Sequence, residues 1–164
     1  PKSREKFLQS RVNDPLVQIL AYCVMPTHPH FILKQLKDQG ISIFMRNALN
    51  SFTRYFNTRY KRKGPLWESK FKNILVQKDE QLLHLTRYIH LNPTSAGLID
   101  KPEEWQFSSY NQFINNNPSG TLRCNWDGIL DINPDAYQKF VNDRISYQRS
   151  LSKIKKFLIE NYTG

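Results

Sequence analysis

Leu20-Ala21-Tyr22-Cys23-Val24-Met25-Pro26-Thr27-His28-Pro29-His30 decides how this chain is built. Residues 16–24 are an apolar run of strand length, Met25-Pro26-Thr27 reads as a turn, and residues 28–34 read as the return strand of a hairpin. Alternate residues of a strand face the same side. Phe31 and Leu33 therefore share a face with Pro29, and His28, His30, Ile32 and Lys34 share the other. The expectation is that the core takes the first face and chemistry the second. Two imidazoles at i and i+2 can grip one metal ion. Proline has no N–H to give a ladder, so Pro29 belongs at the strand's start, with regular pairing from about His30.

Working outward, residues 2–13 read as a helix that Asp14-Pro15 breaks. Ile41, Phe44, Met45, Ala48, Leu49, Phe52, Tyr55 and Phe56 recur at helical spacing and predict a long amphipathic helix over 41–60. Gly64-Pro65 marks a turn, and residues 69–77 read as a strand burying Phe71, Ile74 and Val76. Asp79 is placed as N-cap of a helix over 80–91, which Pro93 is expected to end. Residues 115–120 read as a surface loop or linker, and helices are predicted over 134–148 and 150–161. There is no internal repeat. Helix, hairpin, helix, strand, helix indicates an α+β fold with a helix layer on an antiparallel sheet.

The second informative stretch is Tyr88-Ile89-His90-Leu91-Asn92-Pro93. Tyr88 and Asn92 lie one turn apart on one helix face. Two histidines, an amide oxygen and a phenol are the parts needed to attack a phosphodiester with a tyrosine hydroxyl under metal assistance. A phenol is mostly neutral at pH 7, so it needs a base, a metal or a nearby cation. His84, one turn before Tyr88, could relay its proton, although a surface histidine is the simpler reading. His90 points away from Tyr88 on the helical wheel and takes no catalytic role.

The 164 residues suffice for one domain with a real core. With 24 basic and 14 acidic residues the formal charge is 24 − 14 = +10, which favours a polyanionic partner. A membrane is disfavoured, because no apolar run approaches the ~18 residues of a span and no signal peptide is read. Cys23 and Cys124 form no metal-type spacing and suit a reducing compartment. Cytoplasmic DNA or RNA is the expected partner. Residues 42–72 concentrate the charge: Arg46, Arg54, Arg59, Lys61, Arg62, Lys63, Lys70 and Lys72 stand against Glu68 alone. Tyr55, Tyr60, Trp67 and Phe71 interleave with them. Cations that track phosphates and rings that stack on bases suit single strands. Phe52 and Phe56 are assigned to the core, Trp67 to either role, and Lys153, Lys155 and Lys156 to added phosphate contacts.

These motifs resemble the IS200-like (Y1) transposases of the HUH endonuclease superfamily, and most closely the REP-associated tyrosine transposases. Tyr22 to Lys34 is similar to the family's Met-Pro-Asn-His-hydrophobic-His signature, and Tyr55 to Glu68 to its basic segment and Gly-turn. Arg87 to Pro93 resembles its catalytic helix end, and Trp105 to Tyr110 its Trp-x-x-Ser-Ser-Tyr. The resemblance covers about Phe7 to Tyr110, with a weaker echo to Val141.

It implies a ferredoxin-like antiparallel sheet with helices packed on one face. The family's first strand precedes the first helix, and no counterpart is read in this sequence. Either that strand lies in residues outside the given sequence or the sheet lacks a central member, and an incomplete sheet with an open edge would suit strand exchange in a homodimer. Residues 1–112 would form the catalytic domain and 113–164 its helical extension. Tyr88 would be the nucleophile, leaving a 5′-phosphotyrosine and a free 3′-hydroxyl. His28, His30 and Asn92 would hold Mg²⁺ or Mn²⁺. The substrate would be single-stranded DNA carrying a hairpin, such as REP-like palindromes, contacted by the basic residues of 46–72 and by Trp67. Pro29 stands where the family usually has a bulky apolar residue. It motivates the alternative of a hairpin-DNA or RNA-binding protein that no longer cuts; the aromatic pattern of an RNP motif is absent.

Overall fold

The computed structural model describes residues 14–115 and 123–152. The helix expected over 2–13, most of the loop at 115–120 and the last helix beyond residue 152 lie outside them. The chain is α+β. Strands β1 (Val17–Val24) and β2 (Pro29–Gln35) form a two-stranded antiparallel sheet, and helices α1 (Gly40–Arg59), α2 (Asp79–Ser95), α3 (Tyr110–Ile114) and α4 (Pro134–Asn142) follow, with a further helical stretch at 145–152. The hairpin is closed at its tip by the Met25 N–H donating to the His28 carbonyl at 2.9 Å. The residues form two compact units. One holds 14–18 and Leu33–Leu75, the other Ile19–Ile32 and the described residues from Val76 onward.

The second unit carries the main core. Leu20, Ala21, Tyr22 and Cys23 are buried in succession, so both faces of β1 are covered there. Leu82, Ile89 and Leu91 of α2 join Phe113, Tyr137 and Val141 in the same cluster. Removing a side chain as enclosed as Leu91, 1% exposed, costs about 2–5 kcal/mol in comparable cores. The free edge of β1 is occupied by the Trp105–Tyr110 segment. Cys23 and Ser108 form an antiparallel bridge, the Val24 N–H donates to the Phe107 carbonyl, and the Ser109 N–H donates to the Tyr22 carbonyl.

Four sequence expectations are corrected. First, residues 69–77 form no strand. The alternation of apolar residues is present, but a strand needs a ladder partner for its N–H and C=O groups, and among the described residues the sheet contains only β1 and β2. Ile74 is 84% exposed, while Val76 packs against the core. Second, the core lies on the histidine side of β2. Ile32, two residues past His30, is the buried residue of that strand, while Phe31 and Leu33 are half-buried. The two histidines therefore sit at the rim of the core face. Third, α2 begins at Asp79, makes no side-chain cap with Lys78, and continues through Pro93 to Ser95. Proline in the last turn removes only one intrahelical bond, and the fully buried Pro93 ring offsets that loss. The helix stops at Gly97, whose φ of 72° supplies the left-handed residue of a Schellman end. Its N–H donates to Thr94 and that of Leu98 to Pro93. Fourth, the helix expected over 134–148 is interrupted at residues 143–144.

In the other unit, α1 buries only Gly40 and Met45. Phe52, expected in the core, is 47% exposed, and Phe56 is half-buried. Gly40 follows Gln39, which has φ 53°, and any Cβ on Gly40 would collide with the Leu16 carbonyl oxygen.

Candidate active site

His28, His30, Tyr88 and Asn92 all belong to the second unit. His28 ends the hairpin loop and His30 is the second residue of β2. Their side chains converge: the two Nε2 atoms lie 2.9 Å apart, with ring planes at 80°. Thr27 Oγ1 meets His28 Nδ1 at 2.9 Å, which orients that ring with Nε2 toward its neighbour. Pro29 at the start of β2 does not turn the imidazoles apart. His30 is held below the usual histidine pKa, first by burial and then by His28 beside it. A neutral imidazole is the form that binds metal.

The Tyr88 ring stands edge-on to His30, with centroids 6.2 Å apart. Tyr88 is 46% exposed, so the phenol is accessible to a macromolecular substrate. Tyr110, the other tyrosine of a recognisable motif, is fully buried, and burial together with Glu103 pushes its pKa up. It is closed to DNA. Asn92 lies one turn beyond Tyr88, and its Nδ2 is buried without a hydrogen-bond partner among the described residues. As the residue before a proline it would ordinarily leave the helical region. Continuation of α2 through Pro93 keeps its amide on Tyr88's face.

These residues fit a divalent ion. Two cis ligands at roughly 2.1 Å from an octahedral ion are about 3.0 Å apart, and the imidazole nitrogens are separated by 2.9 Å. Asn92, whose Nδ2 is unpartnered among the described residues, could offer an amide oxygen as a third ligand after a half-turn of its amide. Among the described residues no group of three or more His, Cys, Asp or Glu side chains could hold a metal. Any ion here would be held by two imidazoles and an amide.

His84 is engaged elsewhere. Its Nδ1 lies 2.8 Å from Arg87 Nη2, its Nε2 lies 3.9 Å from Glu80, and Arg87 stacks 3.9 Å over the Phe140 ring. An arginine can only donate, so Nδ1 accepts that bond and is not a free base for Tyr88.

The basic segment belongs to the first unit. Arg46, Arg54, Arg59, Lys61, Lys63, Lys70 and Lys72 are exposed, and none is ion-paired among the described residues. Tyr55 and Tyr60 are the most exposed rings of α1 and its end. Arg62 and Trp67 are tied into the structure instead. Arg62 donates to Asn57 Oδ1 at 3.0 Å and the Pro65 carbonyl at 3.3 Å, while Asn57 Nδ2 reaches the Gly64 carbonyl at 2.9 Å. Trp67 Nε1 donates to the Leu49 carbonyl at 3.3 Å, and its ring packs on Phe52. No helix among the described residues is long and apolar enough to cross a membrane.

Two features near the site were missed in the sequence. His90 is fully buried, and burial pushes its pKa down to about 3. Its Nδ1 meets the Tyr137 hydroxyl at 2.7 Å and its Nε2 meets Ser109 Oγ at 2.8 Å. Arg149 clamps the end of α2, donating to the Thr94, Ile99 and Asp100 carbonyls and to the Asp100 carboxylate. The only available signal was a polar residue inside an apolar run, together with the Ser-Ser pair of 108–109.

The sequence profile described as "Transposase IS200 like" matches residues 2–92. A candidate REP-associated tyrosine transposase of Haemophilus influenzae is 24% identical over 107 residues, covering 59% of this chain and 61% of that protein. A REP-associated tyrosine transposase of Escherichia coli K12 is 23% identical over 116 residues, covering 70% of this chain and 66% of that protein. The chain thus spans less than two thirds of either relative's length. No solved structure matches it significantly.

Proposed function

Because the chain belongs to the IS200-like transposase family, we propose that it is a metal-dependent tyrosine endonuclease and strand transferase acting on single-stranded or hairpin DNA. The observation that carries this reading is the convergence of His28 and His30 at 2.9 Å beside the accessible ring of Tyr88. The Tyr88 hydroxyl gives up its proton to solvent as its oxygen attacks the scissile phosphorus. The new O–P bond forms as the bond to the 3′ oxygen breaks, and the departing strand leaves as a 3′-hydroxyl after taking up a proton. The product is a 5′-phosphotyrosine, which keeps the ester's energy for rejoining. His28, His30 and Asn92 would hold Mg²⁺ or Mn²⁺, which supplies polarisation of a non-bridging phosphate oxygen when bound. The exposed cations of 46–72 would track the DNA backbone and Tyr55 and Tyr60 would stack on bases. The names of both relatives support a REP-type palindrome as the hairpin.

The test uses a labelled hairpin oligonucleotide with Mn²⁺ and a denaturing gel. The parent protein gives a covalent protein–DNA adduct. Tyr88→Phe gives none, yet binds the hairpin within about threefold of the parent, because only the nucleophilic oxygen is lost. An adduct persisting in Tyr88→Phe places the nucleophile elsewhere. A parent that binds the hairpin but forms no adduct in Mn²⁺ is a hairpin binder, not a nuclease.

A further inference from the structure

The mechanism leaves unused the most completely buried titratable side chain beside the site. His90 sits between Tyr88 and Asn92 in sequence. At 100° per residue it points about 180° away from the midpoint of those two side chains. It is enclosed by the rings of Tyr110, Phe113 and Tyr137, with centroids at 5.5, 4.8 and 5.9 Å. An apolar residue would fill such a place at no polar cost, so the hydrogen bonds need a reason.

Those bonds form a chain that links three elements. Ser109 Oγ accepts the Tyr22 N–H at 2.9 Å and can donate to the Tyr22 carbonyl at 3.1 Å. His90 Nε2 meets that Ser109 Oγ at 2.8 Å. On the other side of the ring His90 Nδ1 meets the Tyr137 hydroxyl at 2.7 Å, and a hydroxyl can donate or accept, so either neutral tautomer satisfies both bonds. Bonds at both nitrogens fix the ring orientation. The chain runs from the middle of β1, through Ser109, to the back of α2, and on to α4. β1 is the strand paired with β2, which carries His30.

We infer that His90 is a positioning residue, whose bonds to Ser109 and Tyr137 fix the roll of α2 so that Tyr88 and Asn92 face the histidine pair. This rests on the function proposed above. Apolar contacts tolerate a helix rolling or sliding, whereas hydrogen bonds are directional. A roll of about 20° moves a side-chain tip roughly 6 Å from the helix axis by about 2 Å. A misplacement of about 1 Å can cost on the order of a hundredfold in rate.

The test compares the parent with His90→Phe, which keeps a ring in the aromatic pocket, and with Tyr137→Phe, which deletes one hydroxyl. Tyr88→Phe serves as the inactive control. Adduct formation is measured at a temperature where melting curves place each protein fully folded, together with hairpin affinity and Mn²⁺ affinity in the absence of DNA. The expected result is a fall in kcat of roughly tenfold or more for His90→Phe and a few-fold for Tyr137→Phe. KM and hairpin affinity stay within about threefold, and Mn²⁺ binding weakens in His90→Phe as the Asn92 amide shifts. A purely structural role lowers the melting temperature and leaves kcat per folded molecule unchanged. That outcome in both variants overturns the inference while leaving the proposed function intact. If His90→Phe does not fold, Tyr137→Phe decides by the same criterion. A parent that forms no adduct and binds no Mn²⁺ overturns the proposed function and this inference with it.

Discussion

Acid should loosen this protein through His90 before it reaches most carboxylates. Burial lowers the His90 pKa from 6.5 to about 3. Serine and tyrosine hydroxyls and aromatic rings surround it, and Tyr137 and Tyr110 are the titratable groups that face it. Burial alone accounts for the shift. The folded pKa is depressed, so below pH 6.5 the unfolded chain takes up a proton that the folded protein refuses. The stabilisation is intact above the unfolded pKa and declines as pH falls toward about 3. Each unit contributes about 1.4 kcal/mol, so about 2 kcal/mol is lost by about pH 5 and roughly 5 kcal/mol in all. That is a large part of the roughly 5–15 kcal/mol that holds most domains together. His30 is shifted in the same direction and adds to the effect. Urea unfolding of the parent and His90→Phe, followed by circular dichroism at about pH 7.5 and about pH 5, isolates the His90 part. The parent should lose about 2 kcal/mol more than the variant over that interval. Parallel losses, or a His90 ring proton that titrates between those pH values by NMR, would refute the reasoning.

Three other outcomes are expected. His28→Ala or His30→Ala should abolish Mn²⁺-dependent cleavage and Asn92→Ala should weaken it, because the imidazoles supply two of the three donors; cleavage by the parent that survives EDTA would sink the metal assignment. Hairpin affinity should fall steeply with salt, with log K against log salt sloping at roughly −3 to −4 if about five cations of 46–72 reach phosphates; a flat response, or equal binding to a blunt duplex, contradicts the single-strand groove. Gly40→Ala should destabilise by about 1–3 kcal/mol despite alanine's better helix propensity, because its Cβ meets the Leu16 carbonyl; an unchanged melting temperature would mean the turn before α1 yields freely.

The elements that chemistry marks most strongly were legible. A continuous apolar run, a Met-Pro turn and a return strand predict the hairpin, and β1 and β2 fall within a residue of the expected limits. The i, i+4 relation of Tyr88 and Asn92 needs only the helix. What could not be read depends on partners distant in sequence. The pattern at 69–77 looks like a strand whether or not another strand is there to pair with it. The buried face of β2 is chosen by what packs on it, and Ile32 meets the core while Leu33 does not. Pro93 ends many helices, but burial of its ring carries α2 one turn further. Tryptophan in a basic loop suggests base stacking until its N–H is found on the Leu49 carbonyl.

The stretch that matches the family ends at residue 92, in the last turns of α2. The groups that steady this helix come from later in the chain: Ser109 and Tyr137 on His90, and Arg149 on its terminal carbonyls. The proposed nucleophile, Tyr88, and the groups bonded to the back and end of its helix therefore sit on opposite sides of that limit. A chimaera that grafts residues 93–152 from a relative would keep every reacting group of this chain while changing how firmly they are held. A truncation before residue 145 would discard the Arg149 clamp with the tail.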